Sequence, residues 1–228
     1  MLSNLSLGRG EKGSKFWMQM IPNTELKHKF DELIGDEVIW LSPLKNENYK
    51  EYELREKAIC NRLGIESKEK FNSWSFRQPQ WDGIAVSEKT RTLYLVEAKA
   101  HINELNTICS ASEKSKSVIE EKMKSVFDKH YSEGNFDWWK KGYYQLGNRL
   151  TFLDIMKEIH LTKYPNVKLV LLNFANDFTY RQNTIDEWKH HYNDVFSRMT
   201  GCKDIPKDVL VIYCDVKPSW DTKGDEAK

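Results

Sequence analysis

At 228 residues, 39% of them hydrophobic and 12% aromatic, the chain has the length of a single domain and too much apolar surface for a disordered one. Lys and Arg total 35 against 34 Asp and Glu, and a net charge of +1 excludes a protein that coats polyanions over its whole surface; such a contact needs a local patch. A mean hydropathy of -0.69 and the lack of any apolar run of about 18 residues exclude a membrane-spanning helix.

Residues 1–15, rich in Ser, Gly and charge, read as a mobile lead-in, and 221–228 as a flexible polar tail. No linker or repeat divides the chain, so 1–228 reads as one domain. Residues 24–33 read as a short helix, 37–41 as a strand, and 46–63 as a helix closed by Gly64. Residues 84–86 and 92–99 read as strands around the polar turn 87–91. Ser110 and Glu113 read as a capping box that opens a charged helix to His130. A second long helix is expected over 136–160, with Gly142 and Gly147 inside it. A strand at 167–174, a helix capped by Thr184 and Glu187 and stopped at Gly201, and a strand at 209–214 complete the order. Interleaved strands and helices predict an α/β fold with a mixed sheet. The four cysteines, Cys60, Cys109, Cys202 and Cys214, form no CxxC pair, and the N-terminus has no signal-peptide pattern. Both features point to reduced thiols in a cytoplasmic protein.

The strand 92–99 holds the chemistry. Its residues alternate faces, with Leu93, Leu95, Glu97 and Lys99 on one side and Tyr94, Val96 and Ala98 on the other. Both faces begin apolar, as in a central strand covered on both sides, so Glu97 and Lys99 read either as continuing an inward-looking row or as the solvated end of a surface strand. Charges buried there need a partner or a metal. If Ser87 pairs with Thr92, antiparallel partners sum to 179 and Asp82 falls opposite Glu97; a slip of one residue puts it beside Val96, still a neighbour of Glu97. Two carboxylates about 5 Å apart repel unless they share a proton or a cation. Oxygen-rich acidic pairs of this kind hold Mg²⁺.

On the expected helix 46–63, Tyr49, Tyr52, Ile59, Cys60 and Leu63 share one stripe, and Glu56 falls near its centre. It reads either as a third acid of the site or as a snorkelling carboxylate. On 136–160, Trp138, Lys141, Gln145 and Arg149 run beside the apolar stripe, as a substrate-facing flank or a polar edge. His101, two residues past Lys99, reads as a substrate contact or a hydrogen-bonded strand-end histidine.

The string Gln80-Trp81-Asp82-Gly83 followed by Glu97-Ala98-Lys99 resembles the D…(D/E)xK signature of the PD-(D/E)XK nuclease superfamily, over about residues 46–174. The stretches VEAKAHINEL and YYQLGNRLTFL are similar to those of a bacterial branch of that superfamily. The resemblance implies a restriction-endonuclease-like, three-layer α/β/α core and a nuclease that cleaves DNA in preference to RNA. Asp82, Glu97 and the Ala98 carbonyl would hold Mg²⁺ or Mn²⁺, with Glu56 nearby and Lys99 orienting water or stabilising charge. Gln145 would reach the active site. Arg149, Lys141 and His101 would contact nucleic acid, and a homodimer is compatible with the fold. The other reading is a catalytically silent protein of the same fold that binds nucleic acid or serves assembly.

Overall fold

The computed structural model describes residues 8–65, 71, 74 and 78–220. Its centre is a five-stranded mixed sheet in the order β1-β2-β3-β6-β7. These strands are β1 (Ile39–Ser42), β2 (Gly83–Ser87), β3 (Thr92–Lys99), β6 (Asn166–Ala175) and β7 (Val209–Asp215). The β1–β2–β3 meander is antiparallel, whereas β6 and β7 run parallel to β3. A separate two-stranded ribbon joins β4 (Thr107–Ile108) to β5 (Lys141–Gly142).

Strand β3 is buried along its whole length, and its two apolar rows feed different cores. Leu93 and Leu95 pack with α3 (Lys57–Leu63), α4 (Glu113–His130), α5 (Phe136–Lys140), α6 (Tyr144–Ile159) and α7 (Ile185–Thr200). Tyr94, Val96, Ala98 and Ala100 pack on the opposite face with α1 (Gly13–Met20) and α2 (Leu26–Ile34). Helices therefore cover both faces of the sheet, and the expected α/β class with a mixed sheet is the one observed. Among the described residues no helix is long and apolar enough to cross a membrane.

The expected elements at 24–33, 37–41, 167–174 and 209–214 appear within a few residues of their predicted bounds. The caps at Gly64, Thr184 and Gly201 also appear where expected. Four local expectations are corrected. Helix α1 starts inside the segment read as a mobile lead-in, because Phe16, Trp17, Met18 and Met20 find burial against the sheet. The charged helix has Ser112, not Ser110, at its N-cap position, and no side-chain cap bond forms there. The helix expected over 136–160 is interrupted where Gly142 takes φ 144°, a conformation open chiefly to glycine, and residues 141–142 pair with β4. The helix expected over 46–63 does not begin until Lys57, since Asn48 and Tyr49 both adopt positive φ. Residues 1–7 and the tail 221–228 lie outside the described residues.

Candidate active site

The hairpin β2–β3 has the register expected from its turn. Ser87 pairs with Thr92 and Gly83 with Val96, so one further step sets Asp82 opposite Glu97. An Asp82 Oδ accepts a hydrogen bond of 2.7 Å from the Ala98 N–H. A residue that turns its N–H to one neighbouring strand in an antiparallel ladder turns its C=O the same way, so the Ala98 carbonyl also faces the Asp82 side.

Glu97 and Lys99 sit on the inward row at 4% and 8% exposure, and they form an ion pair with one another. The second oxygen of Glu97 accepts from Arg149 Nε at 2.7 Å. Arg149, expected on the substrate-facing flank, is thus placed on Glu97. It is buried, donates to the Gln80 carbonyl at 2.8 Å, and stacks 4.6 Å from the Trp81 ring centre. Its guanidinium is committed inward because α6 packs directly over the Glu97 row and aims that side chain into the core.

Burial opposes the charge on Glu97, yet Arg149 and Lys99 together hold its carboxyl below the usual range. For Lys99, burial works against ionisation, but Glu97 and Asp82 outweigh it and keep the ammonium protonated. Asp82 behaves in the opposite way. Burial and then the charge on Glu97 push its carboxyl up to about 7, against the pull of Lys99.

The acid that the structure sets beside Asp82 is Glu51, and Glu56 is not brought to it. Residues 50–52 are extended, and Tyr52 bridges Trp81 in antiparallel fashion, with the Trp81 N–H donating to the Tyr52 carbonyl at 3.2 Å. Continued by one residue, that register sets Glu51 beside Asp82, so Asp82 lies between two acids on neighbouring segments. Burial raises the Glu51 carboxyl and the charge on Glu97 adds to it, while Lys15, Arg149 and Lys99 draw it down. Glu56 instead stands at the N-cap position of α3 without capping it, accepts from the Glu53 N–H at 3.0 Å and pairs with Lys50. The signal that could have found Glu51 is the alternation after Asn48, in which Tyr52 and Leu54 are buried and Glu51 and Glu53 are turned away from that core row. Glu56→Gln is therefore expected to leave any hydrolysis within about twofold of wild type, since exposed ion pairs contribute little. Glu51→Gln is expected to lower hydrolysis by roughly tenfold or more, the scale of a group that tunes a metal site from outside its ligands. Rates of plasmid cleavage compare the two.

Gln145 shares a cavity of about 10 Å³ with Glu97, Lys99, Leu105, Leu146, Leu171 and Tyr192, room for about one water. The helix residue expected at the site is therefore brought to it. Lys141 is not, because it is exposed on the β4–β5 ribbon, paired across from Ile108. His101 lies at the rim just past β3. Its ring is 5.5 Å from Tyr180, and its backbone N–H and that of Ala100 donate to Glu104 Oε1 at 3.2 and 3.1 Å.

No protein-family model, curated protein or solved structure matches the chain. What the site can do follows from its own chemistry. Among the described residues no three His, Cys, Asp or Glu side chains are gathered closely enough to enclose a metal ion. Carboxylate and carbonyl oxygens are nonetheless the donors that hard divalent cations take, and such ions keep several waters instead of a full protein cage. Burial first, and then the charge on Glu97, oppose ionisation of Asp82, and a divalent cation beside it would offset both. The oxygen donors at Asp82 are of the type that suits Mg²⁺ or Mn²⁺, while the two Glu97 oxygens are engaged by Lys99 and Arg149.

A larger cleft of about 310 Å³ lies away from this cluster, between α4, α6 and the segment before β7, and is lined by His130, Asp154, Lys157 and Asp208 among others. Its acids already have cationic partners, Asp154 in Lys129 and Asp208 in Lys157 and Lys168.

Proposed function

We propose that the chain is a Mg²⁺- or Mn²⁺-dependent nuclease of restriction-endonuclease-like fold that hydrolyses nucleic-acid phosphodiesters, DNA in preference to RNA. The observation that carries this reading is the hairpin register that sets Asp82 opposite Glu97, with Lys99 on the same inward row. The order of elements supports it too: a helix, the β1–β2–β3 meander with α3, then helices and the parallel strand β6.

Asp82, Glu97 and the Ala98 carbonyl would hold the metal, which when bound acidifies a water and offsets charge on the scissile phosphate. The chain's own groups supply the rest. Lys99 stays protonated, so its Nζ acts as a donor to phosphate oxygens and not as a base. Arg149 holds Glu97 ionised and fixes its side chain. The Gln145 side chain, at the wall of the cavity beside Lys99, is positioned to orient a water. Glu51 adds negative charge on the far side of Asp82 and strengthens the demand for a cation there.

The engagement of both Glu97 oxygens by Lys99 and Arg149 favours one competing reading, a silent protein of this fold in which the ion pairs are purely structural. Plasmid and linear DNA incubated with wild type and with Asp82→Asn, in Mg²⁺ or Mn²⁺, separate the two. Wild-type cleavage that falls by roughly 10²–10³-fold in the variant supports the nuclease. Equal behaviour of the two proteins sinks it and leaves the silent reading.

A further inference from the structure

The rim of the site beyond β3 carries an aromatic ring that the chemistry above does not use. Tyr180 is one of the exposed large hydrophobic side chains, at 56% exposure. Isolated exposed apolar groups are ordinary, but this one is set in a rigid and charged frame. Asp177, fully buried, accepts from Trp17 Nε1 at 2.9 Å and from the Thr179 N–H at 2.9 Å. Thr179 Oγ1 accepts from the Gly13 N–H at 3.0 Å, and Asn183 Oδ1 from the Ile102 N–H at 3.1 Å. The loop that bears Tyr180 is thereby tied both to α1 and to the chain leaving β3.

Those ties bring the ring to the active centre. Its neighbour His101 stands two residues past Lys99, about 7 Å of extended chain. Cations stand at the ring and near the acids of the site. The Lys12 ammonium lies 4.7 Å over the Tyr180 ring, Arg181 is exposed next in sequence, and Lys15 is near enough to Glu51 to affect its carboxyl. Among the described residues none of these three cations forms an ion pair. The nearby acids are turned inward, Glu104 onto the Ala100 and His101 N–H groups and the Ser14 hydroxyl, and Asp177 onto Trp17 and Thr179.

We propose that Tyr180 is a stacking platform for an unpaired base, so that the nuclease engages a single-stranded segment or end beside its catalytic cluster, with Lys12, Lys15 and Arg181 on the flanking phosphates. This rests on the nuclease reading for the class of substrate and adds the strand state. A ring on a tied loop is pre-organised, so a base stacks on it with little ordering cost. Unpaired cations next to an aromatic face are the combination that binds single strands without regard to sequence. A duplex keeps its bases stacked on one another and offers the ring nothing. The contact of Lys12 with the ring is a weak surface one, and its flexible stem can carry the ammonium from the ring to a phosphate.

Fluorescence anisotropy in EDTA tests this, using a labelled oligothymidine strand of about 15 nucleotides and a duplex of the same length. Tyr180→Ala is expected to bind the strand about tenfold more weakly while duplex binding stays within about twofold, and Tyr180→Phe, which keeps the ring, to bind the strand as wild type does. The proposal is overturned if wild type does not hold the strand, if Tyr180→Ala binds it unchanged, or if strand and duplex weaken equally. EDTA removes turnover, so the two readings fail separately. A protein that cleaves DNA but binds strands independently of Tyr180 keeps the nuclease and loses the platform. One that binds through Tyr180 without cleaving DNA does the reverse.

Discussion

Asp82→Asn is expected to abolish most hydrolysis and at the same time to make the protein more stable than wild type at pH 8. The Asp82 carboxyl is raised to about 7, first by burial and then by the charge on Glu97, from an ordinary value near 3.9. Between about pH 4 and pH 7 the folded state therefore binds more protons at this group than the unfolded state does, and stability falls as pH rises through that window. Above pH 7 the cost is fully present, on the order of a few kcal/mol. Asparagine has the same shape, can still accept the Ala98 N–H, and carries no charge to repel Glu97 or Glu51. Urea denaturation of both proteins at pH 5 and pH 8 isolates the effect, because the other carboxylates largely cancel in the difference. Mn²⁺ is expected to raise the melting temperature of wild type at pH 8 and to leave the variant nearly unmoved, since a ligand stabilises only the state that binds it. An unchanged pH slope in Asp82→Asn would show that the carboxyl is not under the stress its surroundings imply.

Glu97→Ala should instead cost the fold itself about 3–5 kcal/mol. Glu97 is 4% exposed and neutralises two buried cations, Lys99 and Arg149, which the substitution would strand in the core. That loss is a large share of a typical total of about 5–15 kcal/mol. Arg149→Ala removes one of the stranded charges, so in a double-mutant cycle the pair is expected to be markedly less destabilised than the sum of its parts. Denaturant midpoints of the four proteins give the coupling, and a Glu97→Ala cost below about 1 kcal/mol would mean that the ion pairs behave like surface ones. The two substitutions therefore differ in what an inactive variant means. Loss of activity in Asp82→Asn speaks to chemistry, whereas in Glu97→Ala it is entangled with folding.

The hairpin was legible because its signals are local. A polar turn between two apolar runs leaves few ways to pair 83–87 with 92–96, and period-two alternation then determines which side chains share a face. The opposition of Asp82 and Glu97 and the inward aim of Lys99 follow from those rules alone. Gln145 was reached differently, through a resemblance, and its helix in fact starts only at Tyr144, after the interruption at residues 141–142. Lys141 was lost to that interruption, since a ribbon pairing with β4 turned it to solvent. Glu56 was lost in the same way, when Asn48 and Tyr49 took positive φ and the expected helix gave way to an extended stretch.

By itself, then, the amino-acid order determined the class of fold, the meander and the acid–acid–lysine arrangement on it, because turns and strand alternation act over a few residues. Only the tertiary structure decided that Glu51 joins Asp82, that Arg149 neutralises Glu97 instead of waiting for phosphate, and that Tyr180 stands beside His101. Each of these depends on contacts between segments about 30 to 80 residues apart, where burial and charge pairing overrule local periodicity. Helical spacing at 46–63 and 136–160 was a correct reading of local preference that long-range packing outweighed.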